Sequence, residues 1–177
     1  MPSVSSLTTA DAALLVQLSD SHLFAEADAS LLGMNTRDSL WAVIDLVLKQ
    51  QPDIDLMLAT GDLSQDGTLE SYAAFRQLTA RIDAPARWIP GNHDEPQVML
   101  EAAVKSTLLN PVVDIGNWRV TMLDSAVPGS VPGFFGRGAV DSVGQCLERG
   151  AGAASLGVPA SSSCFDWVCV DGADWVA

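Results

Sequence analysis

Three short apolar runs divide the first half of the chain, and each gives way to polar residues at its carboxyl end. Leu14-Leu15-Val16-Gln17-Leu18 leads into Asp20-Ser21-His22, and Leu56-Met57-Leu58-Ala59-Thr60 leads into Gly61-Asp62. Arg87-Trp88-Ile89-Pro90 leads into Gly91-Asn92-His93-Asp94. Runs this short, bounded by turn residues, read as buried strands, and they place strands at 12–19, 55–60 and 86–90. Between the first two, Leu40, Val43, Ile44 and Val47 recur at helical spacing, which predicts a helix from about 36 to 51 with these four on its buried face. Thr36 is its candidate N-cap and Pro52 stops it. After a 20–35 loop with turn chemistry at Ser30 and Gly33, this gives the first strand–helix–strand unit. The second follows the Asp66-Gly67 turn. Thr68 caps a helix whose apolar stripe is Tyr72, Phe75, Leu78 and Ile82, and Asp83-Ala84-Pro85 breaks it.

A third helix is expected over 95–106, with Pro96 in its first turn. A short strand is expected at 111–115 and a better one at 118–123, ending at Asp124-Ser125. The βαβαβ order implies an α/β fold with parallel pairing and right-handed crossovers. From about Gly133 the pattern fades. Residues 134–177 hold no lysine or histidine, all of the cysteines (Cys146, Cys164 and Cys169) and half of the chain's 14 glycines. Only 165–170 reads there as a short strand. The organisation expected is therefore a domain over 12–133 and an atypical tail over 134–177.

Ligands bind open α/β sheets at the carboxyl ends of the strands, and three strands here release metal-capable side chains at that edge. With extended backbone, Asp20 and His22 point to one side and can hold one ion. Asp62 has two oxygens and can bridge two ions, and Asn92 offers a carbonyl oxygen to the second. Such mixed donors suit manganese, iron or zinc, and two such ions can clamp a phosphate and generate hydroxide from water. His93 is placed to protonate a leaving oxygen, with Asp94 orienting its ring. Taken singly, Asp-x-His is a turn or a cap, Gly-Asp marks a turn, and a lone histidine is structural. Their joint order after three apolar runs favours the metal site.

Charge sharpens this. The formal net charge is -13, and the only lysines are Lys49 and Lys105. A nucleic-acid groove, which neutralises phosphates with lysine and arginine, is not expected. Bound metal ions are then the source of positive charge for a phosphate ester. No apolar run reaches the roughly 18 residues of a membrane span. The first ten residues lack the basic start and apolar middle of a secretory signal, so a cytoplasmic protein is expected. The odd cysteine count, without paired spacing, suggests neither a disulfide framework nor a zinc knuckle.

Asp20-x-His22, Gly61-Asp62 and Gly91-Asn92-His93-Asp94 resemble the first three motifs of the calcineurin-like metallophosphoesterases. The segments Ser19-Asp20-Ser21-His22-Leu23-Phe24, Leu32-Gly33-Met34-Asn35-Thr36 and Leu123-Asp124-Ser125 look like the bacterial 3′,5′-cyclic AMP phosphodiesterases of that superfamily. The resemblance covers about residues 12–133. It implies the N-terminal part of an αββα sandwich whose second sheet is largely missing. It implies two divalent metal ions, with Asp20 and His22 on the first, Asp62 on both and Asn92 on the second. His22, Asp62, Asn92 and His93 would line the site of a cyclic nucleotide's phosphate, and His93 would act as general acid. The implied reaction opens the cyclic phosphodiester at its 3′ oxygen to give 5′-AMP. The family's later motifs bring further histidines, including a Gly-His-x-His, whereas His22 and His93 are the only two here. Reduced activity is therefore expected, or a non-catalytic fragment with a partial metal site; a broader phosphodiesterase is a further alternative. The abrupt loss of pattern near Pro132-Gly133 is what a wrong reading frame or a wrongly joined segment would produce.

Overall fold

Leu15–Leu18 (β1), Leu56–Thr60 (β4) and Ala86–Ile89 (β5) form a parallel sheet in the order β1-β4-β5, as the three apolar runs lead one to expect. The computed structural model describes residues 12–134 apart from 52, 117, 128, 129 and 131, together with strands at 154–159 and 168–169. The crossovers are α1 (Thr36–Gln50) and α2 (Leu69–Thr79). β4 is central and wholly buried because it serves two layers. Its side chains alternate between sheet faces. Met57 and Ala59 pack with Leu40, Ile44, Tyr72, Phe75, Trp88 and Met99 under the helices. Leu56 and Leu58 face the other way and pack with Ile89, Val113, Val120 and Met122.

The last three residues belong to a second sheet, ordered β6-β7-β8-β9. β6 (Val112–Ile115) and β7 (Trp118–Leu123) are antiparallel and join in register from Val112 opposite Thr121 to Ile115 opposite Trp118. β8 (Ala154–Pro159) lies parallel to β7, and β9 (Val168–Cys169) pairs antiparallel with β8. The described residues thus stack helices on a parallel sheet and that sheet on a second one. Of the tail strand expected at 165–170, Val168–Cys169 is present as β9, and the remaining positions lie outside the described residues. β8 was not anticipated, because Ala154-Ser155-Leu156-Gly157-Val158-Pro159 lacks both alternation and a run of β-branched residues. No helix among the described residues is long and apolar enough to cross a membrane.

Several local expectations are corrected. The N-cap of α1 is Asn35, whose side chain accepts the Asp38 N–H, and Thr36 is the first helical residue. Leu40 and Ile44 are buried as expected, but Val43 is 43 % exposed, because α1 turns that side toward a cleft beside the 20–35 loop. That loop contains a hairpin, β2 (Ser30–Leu31) with β3 (Met34–Asn35), turning through Leu32 and Gly33 at positive φ. The third helix, α3, covers only Pro96–Ala102; its Glu95 N-cap makes no side-chain bond, and Lys105 at φ 58° cannot continue it.

The loops that follow β1, β4 and β5 are fastened to one another. Asp20 N–H donates to Gly61 O at 3.1 Å, His22 N–H to Asp62 O at 2.9 Å and Leu23 N–H to Leu63 O at 3.0 Å. Asp94 ties the third loop in. Its carboxylate accepts the N–H groups of Gly91 (2.8 Å), Ser64 (2.9 Å) and Leu63 (3.2 Å), and the Tyr72 hydroxyl at 3.0 Å. Tyr72 O in turn accepts the Glu95 N–H at 2.8 Å. Burial pushes the Asp94 carboxyl above the ordinary carboxylate range, against these four donors, which favour its charged form. Burial, and then the adjacent Asp94 charge, likewise push the Tyr72 phenol up.

Removing Asp94 would orphan several buried donors at once, each costing about 1–3 kcal/mol. Asp94→Ala is expected to destabilise the chain by about 3–5 kcal/mol, read as a lower midpoint in urea unfolding. Asp114→Ala breaks only the exposed pair with Arg119 and is expected to leave the midpoint unchanged.

Candidate metal centre

The side chains that gather at the carboxyl edge of the parallel sheet are held by unusual backbone. Asp20 (φ 55°), His22 (φ 44°) and Asp62 (φ 50°) all sit in the left-handed region, which residues with a Cβ adopt at a cost of order 1–3 kcal/mol each. The expectation that Asp20 and His22 share a side through extended backbone is therefore corrected. They converge because the loop after β1 places both in the left-handed region, held there by the three ladder-like bonds to the Gly61–Leu63 loop. Such strain persists where surrounding contacts over-determine it, and it concentrates at functional sites.

His22 Nε2 stands 3.9 Å from Asp20 Oδ1 and 3.9 Å from Asp62 Oδ2. Both separations are too long for hydrogen bonds, so the imidazole nitrogen faces each carboxylate oxygen without bonding to it. Oxygen and nitrogen donors of this kind suit a divalent transition-metal ion. Among the described residues, ligand atoms of His22, Asp62 and His93 also lie within 4.8 Å of one another. The two imidazole rings meet edge to face, 5.2 Å apart at 81°. Asp62 is buried and His93 exposed, so the cluster opens to solvent on the His93 side.

Asp62 is fixed from its other oxygen. Oδ1 accepts the His93 N–H at 2.9 Å, leaving Oδ2 as the oxygen that faces His22. Gly91 is what lets the β5 loop come this close. A Cβ there would lie 2.3 Å from both the Asp62 backbone nitrogen and Oδ1, so any side chain would displace the central carboxylate. Asn92, the residue expected on a second ion, is half-buried between Gly91 and His93 in the same loop.

The role assigned to Asp94 is corrected. Both of its oxygens are engaged by backbone N–H groups and Tyr72, so it holds the loop and does not orient the His93 ring. Gln65 does that, with its amide nitrogen 3.0 Å from His93 Nδ1. Sequence reasoning missed Gln65 because nothing in the turn after Asp62 sets one glutamine apart. It also read Tyr72 only as part of an apolar stripe, although tyrosine carries a polar tip that seeks a partner when buried.

Residues 13–141 match the family described as calcineurin-like phosphoesterase. Among curated proteins, the chain is 56% identical over 139 residues to the 3′,5′-cyclic adenosine monophosphate phosphodiesterase CpdA of Pseudomonas aeruginosa, covering 75% of this chain and 51% of that protein. It is 40% identical over 118 residues to the protein of the same name in Escherichia coli K12, covering 65% and 42%. To the 3′,5′-cyclic-nucleotide phosphodiesterase alr5338 of a Nostoc species it is 32% identical over 129 residues, covering 72% and 48%. The chain thus spans about half the length of the curated relatives it matches. The family match takes in all three strand-end motifs and well over half of the residues, and the chain belongs to the calcineurin-like phosphoesterase family.

Proposed function

We propose that this chain carries part of the metal site of a 3′,5′-cyclic nucleotide phosphodiesterase that turns cyclic AMP into 5′-AMP. The observation that carries the reading is His22 Nε2 facing Asp20 Oδ1 and Asp62 Oδ2, each 3.9 Å away and unbonded to it. These three residues would hold a first ion, and Asp62 with Asn92 would hold a second; manganese, iron and zinc all suit these donors. When bound, such ions polarise a phosphoryl oxygen and lower the pKa of water. The names of the relatives support a cyclic nucleotide as substrate, and a cytoplasmic location goes with that reading.

In this reaction water adds to phosphorus, the bond from phosphorus to the 3′ oxygen breaks, and that oxygen takes a proton. His93 supplies that proton from Nε2 of its imidazolium form and is left as the neutral ring with its remaining proton on Nδ1. The Gln65 amide beside Nδ1 can turn its oxygen to accept that Nδ1–H. Asp62 joins the two halves of the chemistry through its bond to the His93 N–H, which holds the loop that carries His93 against the central carboxylate. Asp94 contributes by holding the loop that carries Asn92 and His93.

A second reading rests on the histidine count. With only His22 and His93 in 177 residues, the second ion has two protein ligands, Asp62 and Asn92. The chain on its own then binds one ion well and catalyses poorly. Loss of even an outer partner of a metal ligand costs about 10–100-fold. The 177-residue chain with added manganese is expected to hydrolyse cyclic AMP at least about 100-fold more slowly than its Pseudomonas aeruginosa relative. Turnover matching the relative, abolished by Asp62→Ala, would remove the second reading and leave the first.

Metal binding is testable without turnover. Manganese at 100 times its dissociation constant is expected to stabilise the chain by about 2.7 kcal/mol, seen as a rise in melting temperature. Calorimetric titration is expected to give one tight ion per chain. Asp62→Ala abolishes both signals. Two equally tight ions would contradict the ligand count, and an unchanged melting temperature would count against the metal site itself.

A further inference from the structure

A cleft of about 600 Å³ opens beside the metal centre and shares Asp20 and His22 with it. Much of the rest of its lining is apolar, and that apolar surface is displayed where folding does not require it. Leu32, at the tip of the β2–β3 hairpin, is fully exposed at 101 %, Met34 is 56 % exposed and Val43 of α1 is 43 % exposed. Leu32 also holds φ 51°, next to Gly33 at φ 82°. A leucine in the left-handed region is strained, whereas asparagine, aspartate or glycine would make the same turn with less strain and without exposed hydrocarbon. The leucine thus costs conformational energy and gains no burial in the folded chain. Hydrophobic surface kept exposed on one wall of a cleft, adjoining a polar site, marks a ligand surface.

We propose that this wall, Leu32 and Met34 on the hairpin with Val43 on α1, holds the nucleobase of the substrate whose phosphate lies at Asp20, His22 and Asp62. The inference rests on the phosphodiesterase reading for the phosphate end and adds a base subsite to it. Continuity selects the occupant, because the same cleft that reaches Asp20 and His22 also reaches the hairpin. A molecule with an anionic end and a flat, weakly polar end fits both parts, and a nucleoside monophosphate is such a molecule. The loop that carries the hairpin is anchored independently of any ligand: Ala25 N–H donates to Asp66 Oδ2 at 2.8 Å, the Arg37 guanidinium donates to Phe24 O at 3.1 Å, and the Asn35 amide donates to Ala27 O at 2.9 Å. Its tip can therefore be altered without loosening the metal centre.

Two measurements on the full chain test the proposal. The first is methyl NMR with adenosine alone, with neither phosphate nor metal present. Adenosine is expected to shift the Leu32, Met34 and Val43 methyl signals; shifts confined to other methyls, or none, overturn the proposal. The second compares binding of 5′-AMP, ribose 5-phosphate and inorganic phosphate in the presence of manganese. AMP is expected to bind about tenfold more tightly than ribose 5-phosphate. The double variant Leu32→Asn/Met34→Thr, whose residues suit the left-handed tip and the strand, is expected to erase that difference and leave phosphate binding unchanged. Leu46→Gln, an exposed apolar site outside the cleft, is expected to change nothing. Equal affinities for AMP and ribose 5-phosphate in the unaltered chain overturn the base wall and leave the phosphate site standing. Adenosine shifts at the wall without any phosphate binding support the wall and overturn the phosphodiesterase reading.

Discussion

One buried carboxylate decides how the three strand-end loops meet. Asp94 accepts two N–H groups from the loop after β4, one from the loop after β5 and the hydroxyl of Tyr72 from α2. A charge taken from water to this depth is costly unless its lone pairs are filled, and here four donors fill them. Through Leu63 and Ser64 the same carboxylate fixes the segment to which the loop after β1 is bonded. The relative placement of Asp20, His22, Asp62, Asn92 and His93 thus depends on a residue that touches none of their functional atoms.

This arrangement explains how the chain sustains a strained edge. Three residues with side chains hold positive φ within the candidate centre, and released loops would relax out of that region. The bonds between the loops after β1 and β4, together with the latch at Asp94, leave no relaxed alternative that keeps every backbone donor paired. Gly91 completes the design from the opposite side, since its missing side chain is the space that the Asp62 carboxylate fills. Behind this edge, β4 lies between two apolar layers, so the carboxylate of Asp62 projects from the most firmly packed strand of the sheet. A rigid strand beneath a strained loop is the arrangement that holds facing donor atoms at fixed distances.

The apolar runs, the two helix stripes and the turn signals dictated the parallel sheet, its crossovers and the three loops at its carboxyl edge, because each follows from local periodicity and backbone chemistry. The motif residues at that edge were legible for the same reason: Asp20, His22, Asp62 and His93 follow strand ends, and strand ends converge. Tertiary structure alone decided what those residues do to one another. The sequence contains nothing that makes Asp94 a latch rather than a partner of His93, or that selects Gln65 for the ring, because both depend on which loop lies against which. It could not fix Val43 on the cleft side of α1, since four residues of one stripe span more arc than the core covers. Nor could it find β8, whose partner β7 lies about thirty residues earlier. Local sequence sets which segments form and where they stop; the pairing of buried donors and acceptors across loops distant in the chain is set only when the layers close.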